Sequence, residues 1–305
     1  MRKASIDIGS NSVLLLVADV DGEVVIPLRE EQRVTRLGRG IEKTGLLRSE
    51  SMSDTKKTIV EYLDIAKSKY GIGKGDIVIT ATEAARVAKN GKSFFNELLN
   101  ELGVSVSIIS GAQEAYYTAL GTVSDDALLS NAGEFVIVDI GGASTEFIRV
   151  KKTPFEIVSS VSIPLGSVRA DEWMNDGVLD KKIESLLVES VISSYKGFET
   201  VAVAGTYTSL SAMNLGLVSF DKDSVHNSKI TTGELNTLVE KIKNRSVSQL
   251  AKDYVHLDKR AEVIVAGGLV ALAIAKKLSI SKYTVSCRGL RYGTILMNEN
   301  DFIGP

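Results

Sequence analysis

One six-residue pattern occurs twice in the chain, far apart. Asp7, Ile8, Gly9, Ser10, Asn11 and Ser12 align with Asp139, Ile140, Gly141, Gly142, Ala143 and Ser144, sharing Asp-Ile-Gly at the start and serine at the sixth place. Each copy sits between two apolar runs, ASIDIGSNSVLLLV over 4–17 and EFVIVDIGGASTEFI over 134–148. A short continuous apolar run suits a strand buried on both faces. An ionisable side chain at its end is expensive to bury unless it is paired or bound to a metal. Glycine lets the backbone turn sharply and leaves room for a ligand, and the amides of such a turn can converge on an anion. Each copy therefore reads as strand, acid, tight turn, strand. The repetition predicts a duplicated α/β architecture of two lobes, each offering a phosphate-facing turn.

The length of 305 residues suffices for two domains, each with its own core. With 44% hydrophobic and 24% charged residues the composition is that of a globular protein. A net charge of −2 argues against a general DNA or RNA binder, which usually carries a basic domain. The single cysteine, Cys287, excludes an intramolecular disulfide and suits a reducing cytosol. Asp7 interrupts what would otherwise resemble a signal peptide, and the apolar run Val263 to Ala275 is short of the ~20 residues that span a bilayer. The expectation is a cytoplasmic protein with no membrane partner.

In chain order, residues 3–30 predict a three-stranded meander with a turn at Asp21-Gly22. The stretch 29–48 holds six basic residues against three acidic, and Gly38 and Gly40 suggest an exposed, pliable loop; it is either a solvated surface or a guide for a polyanion. A helix is expected from Ser49 to Gly71, a strand at Ile77 to Ala81, a helix carrying Arg86, a helix at Ser93 to Leu102, and a strand at Val104 to Ile109. A helix beginning near Ala112 places Gln113 and Glu114 in its first turn. Residues 122–133 form the expected boundary between domains 1–122 and 123–305, the last ten or so residues packing back on the first domain. In the second domain a strand at Ile157 to Val161 precedes a loop and the helix with Trp173. An amphipathic helix from Lys181 to Tyr195 follows. A strand at Val201 to Ala204 then ends at Gly205-Thr206, a third strand-to-turn site with a hydroxyl, ahead of helices near 233–243 and 258–278 and a strand at Thr284 to Ser286.

Gly91-Lys92-Ser93 looks like the end of a phosphate-binding P-loop, but Arg86 stands where its first glycine belongs. His226 and His256 are too few and isolated for a zinc site, Cys287 has no histidine near it in sequence, and Trp173 is read as packing.

Together these pieces resemble the exopolyphosphatase/guanosine pentaphosphate phosphatase family, in its short two-domain form. The resemblance rests on IDIGSNS (6–12), RLGRGI (36–41), TATEAAR (80–86), ISGAQEA (109–115), VDIGGAST (138–145), AGT (204–206) and RGLRYG (288–293). It implies two actin-like, ribonuclease H-like α/β domains with a cleft between them, as in sugar kinases and heat-shock chaperone ATPases. It implies release of the terminal phosphate of inorganic polyphosphate, or of the phosphate of guanosine pentaphosphate, with Mg²⁺ or another divalent cation as helper, and a homodimer. On this resemblance the catalytic glutamate falls on Glu114 and its arginine on Arg86. Phosphate contacts fall on Asn11, Ser12, Gly141, Gly142, Ala143, Ser144 and Thr206, and metal-associated acids on Asp139 and Glu146. Three residues depart from the family pattern: Gln113 replaces a glutamate, Ala143 a glycine and Tyr292 a glutamate.

The residues permit a mechanism of positioning and charge neutralisation, which is most of what phosphoryl transfer requires. Glu114 would orient or deprotonate the attacking water, Arg86 would offer a planar fork to phosphate oxygens, and two carboxylates would suit Mg²⁺. A kinase of the same superfold and a non-catalytic sensor of a phosphate-rich ligand are the competing readings.

Overall fold

A computed structural model describes residues 1–125, 128 and 133–297. The chain forms two compact units, one from Met1–Asp125 together with the chain from Arg288 onward, the other from Asp126–Cys287. Part of the stretch 122–133, expected to divide the domains, lies outside the described residues. The return to the first unit, expected for the last ten or so residues, comes earlier, at Arg288.

The first unit is built on strands β1 (Arg2–Ile8), β2 (Ser12–Asp21), β3 (Val24–Val34), β4 (Ile77–Ala81) and β5 (Ser107–Ile108), in the order β3-β2-β1-β4-β5. β1, β2 and β3 form the antiparallel meander, and β1, β4 and β5 run parallel. The second unit has β6 (Glu134–Ile140), β7 (Thr145–Lys151), β8 (Glu156–Ile163), β9 (Thr200–Val203), β10 (Lys229–Thr231) and β11 (Lys282–Val285). Its order, β10-β11-β9-β6-β7-β8, read from β8 repeats the first sheet's meander and parallel steps, with β10 added antiparallel at the edge. The duplication expected from the two Asp-Ile-Gly copies is thus a duplication of sheet topology, that of the actin-like α/β fold.

Strand alternation decides what each face carries. In β1, Ala4, Ile6 and Ile8 point into a core with Ile59, Tyr62, Phe94, Phe95 and Leu98. Ser5 and Asp7 point the other way, where the Ser5 and Thr294 hydroxyls hydrogen-bond at 2.8 Å. In β6, Phe135 to Val138 are all fully buried. Burying side chains of this kind contributes roughly 1.5–3 kcal/mol each.

The returning segment forms a short helix, Leu290–Thr294, packed against the helix Gly111–Val123. A Cβ on Gly293 would stand 1.8 Å from the Tyr117 carbonyl oxygen, so only hydrogen fits there. Gly293→Ala should therefore destabilise the first unit by about 1–3 kcal/mol, measured by urea unfolding, because a backbone atom cannot give way as a side chain can. Tyr292, the departure from the family's glutamate, is fully buried, and its hydroxyl donates to Glu30 Oε1 at 2.8 Å. It serves packing.

Several expectations need correction. Residues 29–48 are not a pliable loop: 29–34 belong to β3, Leu37 is fully buried, and Ile41–Thr44 is a helical turn. The amides of Thr35 and Arg36 donate to the Asn11 carbonyl at 3.1 and 2.9 Å, and that of Gly38 to the Ser10 carbonyl at 2.7 Å, so RLGRGI braces the first glycine turn. Arg29 and Arg33 pair with Glu31 and Glu61. The helix from Ser49 ends at Asp64 and continues as a wider turn over Ile65–Lys69. The expected 181–195 helix is Leu179–Leu186, then Glu189–Ile192 and a tight turn Ser193–Tyr195, broken where Leu187 leaves helical backbone. Likewise 258–278 is Val255–Glu262 followed by Ile264–Leu278, with Asp258 at φ 45° inside the first piece. Apolar spacing continued across both breaks, and spacing alone does not report backbone dihedrals. Trp173 is buried in the second core, as read.

Candidate active site

Both acids of the repeated pattern sit near the end of the central strand of their sheet, and the glycine after each starts an equivalent turn. The Gly9 amide donates to the Ser12 carbonyl at 3.0 Å, and the Gly141 amide to the Ser144 carbonyl at 3.0 Å.

In the second unit the turn is held by its carbonyls. The Gly141 carbonyl accepts from the Ser167 amide at 2.9 Å and the Ser167 hydroxyl at 3.2 Å. The Gly142 carbonyl accepts from the Val168 amide at 2.7 Å, and the Ala143 carbonyl from Arg169 Nη1 at 2.7 Å. These donors belong to the first turn of the helix Ser167–Asn175. In a trans peptide the carbonyl and the following amide point in opposite directions. The amides of Gly142, Ala143 and Ser144 are therefore turned away from that helix, and among the described residues none of them donates a backbone hydrogen bond. Such amides form an anion-receptive nest. Ala143, where the family has glycine, is not among the residues with positive φ, so its methyl group is tolerated.

Gly166 touches this turn closely: a Cβ there would lie 2.4 Å from both the Ala143 nitrogen and the Gly142 carbonyl carbon. Gly166→Ala is expected to displace the nest and lower kcat/KM roughly 10²-fold, the loss a misplacement of about an ångström causes. Steady-state phosphate release checks it.

Asp139 and Glu146 face each other across the antiparallel pair β6–β7. Glu146 is 2% exposed, and its Oε1 accepts from the Ser162 hydroxyl at 2.7 Å. Thr206, expected to contact phosphate, lies in the first turn of the helix Ala204–Asn214, and its hydroxyl donates to the Ile140 carbonyl at 3.0 Å. That helix begins at Ala204, so the strand ends one residue before the expected point. No group of three or more His, Cys, Asp or Glu suited to a metal ion occurs among the described residues. Two carboxylates match Mg²⁺, which keeps several waters and takes further oxygens from phosphate.

In the first unit the helix Gly111–Val123 starts with a reciprocal cap. The Gln113 amide donates to Ser110 Oγ at 3.2 Å, and the Ser110 amide to Gln113 Oε1 at 2.8 Å. The family's glutamate is thus replaced by a residue that fixes the helix start without adding charge. One residue on, Glu114 is 9% exposed. Its Oε2 accepts from Arg86 Nη1 at 2.8 Å. The same nitrogen donates to the Ile109 carbonyl at 2.7 Å, and Nη2 donates to Glu83 Oε2 at 3.0 Å. Arg86 and Glu83 are one turn apart on the short helix Glu83–Val87. Burial pushes the Glu114 carboxyl above its usual range and the Arg86 guanidinium opposes that push, with Glu83 adding a smaller upward effect. Burial also works against the Arg86 charge, and Glu114 and Glu83 together more than restore it.

Ser12 is buried, and its hydroxyl has no partner among the described residues. Asp7, to which no role was assigned from sequence, is 9% exposed with Oδ1 unpartnered. Burial, reinforced by Glu114 and opposed by Arg291, pushes its carboxyl up to about 7. Its alignment with Asp139 was the signal that could have drawn attention to it. Away from these groups, His226 Nδ1 accepts the Cys287 backbone amide at 3.1 Å, a structural contact between residues distant in sequence.

A repeated actin-like α/β unit with an acid-bearing glycine turn in each copy, a carboxylate–arginine pair in one and facing acids in the other, defines a class built to handle phosphate. The chain belongs to the Ppx/GppA phosphatase family, whose family model matches residues 16–302. It is 28% identical to exopolyphosphatase 2 of Mycobacterium tuberculosis, over 93% of this chain and 94% of that protein. It is 26% identical to guanosine-5'-triphosphate,3'-diphosphate pyrophosphatase of Pseudoalteromonas translucida, over 96% of this chain but 58% of that one. The crystal structure of the Aquifex aeolicus family member superposes with a TM-score of 0.77 at 28% identity, covering 100% of this chain and 99% of that one.

Proposed function

We propose that the chain is an exopolyphosphatase, releasing the terminal phosphate of inorganic polyphosphate by attack of a water activated by Glu114. The observation that carries this reading is the Arg86–Glu114 pair: a buried carboxylate whose proton affinity is raised by burial yet whose charge is kept by a hydrogen-bonded arginine. A base of that kind takes a proton from water better than an ordinary exposed carboxylate. On the first unit Arg86 offers its Nη2 side, and Asn11 and Ser12 their donors, to phosphate oxygens; on the second unit the amides of Gly142, Ala143 and Ser144 offer theirs. Asp139 and Glu146 would hold Mg²⁺, which supplies charge neutralisation when bound.

Polyphosphate is preferred over guanosine pentaphosphate because the relatives named for it match this chain nearly end to end. The experiment is phosphate release from both substrates, with and without Mg²⁺. Faster Mg²⁺-dependent release from polyphosphate supports the reading, and faster release from guanosine pentaphosphate replaces it. Phosphate appearing only on an organic acceptor supplied with ATP would make the chain a kinase, and tight binding without turnover a sensor. A chain with one cysteine suits the cytoplasm, and no described helix is long and apolar enough to cross a membrane. The homodimer carried over from the family is tested by sedimentation velocity.

A further inference from the structure

The three bonds of Arg86 are unequal in what they leave available. Nη1 has two protons, and both are engaged, one by Glu114 and one by the Ile109 carbonyl. Those acceptors belong to or adjoin the helix Gly111–Val123 and hold the guanidinium in place. Nη2 gives one proton to Glu83, a residue on the same short helix as Arg86 itself. The Glu83 side chain remains 18% exposed against 12% for Glu114. The Glu83 bond is to Nη2 alone, so a change of acceptor there leaves both Nη1 bonds, to Glu114 and the Ile109 carbonyl, in place. Two carboxylates on one guanidinium also leave the cluster with net negative charge, which repels an incoming phosphate until one of them gives way.

We propose that Glu83 is a positioning residue that occupies the phosphate-receiving side of Arg86 and is displaced by the phosphate group of the substrate. This rests on Arg86 receiving phosphate as described under Proposed function. A phosphate oxygen replaces a Glu83 oxygen at Nη2, so the number of hydrogen bonds to Arg86 is conserved. The exchange favours ligands with more than one negative charge close to the reacting phosphorus, because each must outcompete a carboxylate already in place. It sets substrate affinity rather than the chemical step.

The charge of Glu83 is felt at Glu114 as well. The charged groups facing Glu114 are Arg86 and Glu83 from the neighbouring short helix and Asp7 on β1, whose own carboxyl Glu114 raises. Taking the charge off Glu83 therefore lets Glu114 lose its proton at lower pH.

The test measures tripolyphosphate binding by calorimetry at fixed Mg²⁺, alongside the pH dependence of kcat/KM, for the wild type, Glu83→Gln and Glu83→Asp. Glu83→Gln should bind tripolyphosphate about tenfold more tightly, the worth of one charged hydrogen-bond competitor, with KM falling more than kcat changes. Its acidic limb should move to lower pH, and Glu83→Asp, which keeps the charge, should stay near the wild type in both. Equal or weaker binding by Glu83→Gln, an unmoved acidic limb, or no tripolyphosphate binding by either protein overturns the proposal. A wild type that binds tripolyphosphate but does not hydrolyse polyphosphate refutes the exopolyphosphatase reading instead, while calorimetry still decides the displacement.

Discussion

Glu114→Gln is expected to lower kcat by about 10²–10⁴-fold with little change in KM, the range for loss of a general base. Glutamine keeps the shape and can still accept from Arg86, so the 2.8 Å contact survives while the charge does not. Arg86 keeps its bond to Glu83, and the local fold should hold. The pH profile of the wild type carries the complementary expectation. Burial raises Glu114, so kcat/KM should fall on the acid side at a pH above the ordinary glutamate range. Initial rates on polyphosphate across pH check both, and full turnover by Glu114→Gln would remove this residue from the mechanism.

Asp7→Asn should make the protein more stable across mildly acid, neutral and alkaline pH, by an amount that grows up to about pH 7, while leaving its stability below about pH 4 nearly unchanged. The sign follows from proton uptake. Burial holds the folded carboxyl up at about 7, whereas in the unfolded chain it returns to the ordinary aspartate value. Between those values the folded state binds more protons than the unfolded one, so wild-type stability declines as pH rises through this window and levels off above it. Asparagine binds no proton in either state and removes the slope. From about pH 5 to about pH 8 the variant's advantage over the wild type should grow by about 2.5 kcal/mol, since a one-proton difference between the two states is worth about 1.36 kcal/mol for each pH unit it spans. Urea titrations of both proteins at the two pH values measure it, and parallel stability curves would contradict the account of Asp7.

The duplicated fold was legible because it is written locally. An apolar run, an acid and a glycine lie within a few residues, and the meander after each copy follows from short turns. The pairing of Arg86 with Glu83 was also within reach, since i and i+3 share a helix face. Its pairing with Glu114 was not, because that contact joins side chains 28 positions apart through the β4–β5 end of the sheet. The segment 29–48 misled for the opposite reason. Its charges and glycines describe a loop, but the carbonyls of Ser10 and Asn11 that bind its amides lie in another part of the sequence. Nothing in Ala-Gly-Thr tells that the Thr206 hydroxyl donates to a carbonyl of β6.

The most direct measurement is Mg²⁺-dependent phosphate release from inorganic polyphosphate by the wild type and Glu114→Gln, followed with the same preparation's tripolyphosphate binding. The account predicts release by the wild type, a loss of about 10² or more in kcat for the variant, on the order expected for a base, and binding retained by both. Equal release by the two proteins, or no release from polyphosphate by a wild type that binds it, would contradict it.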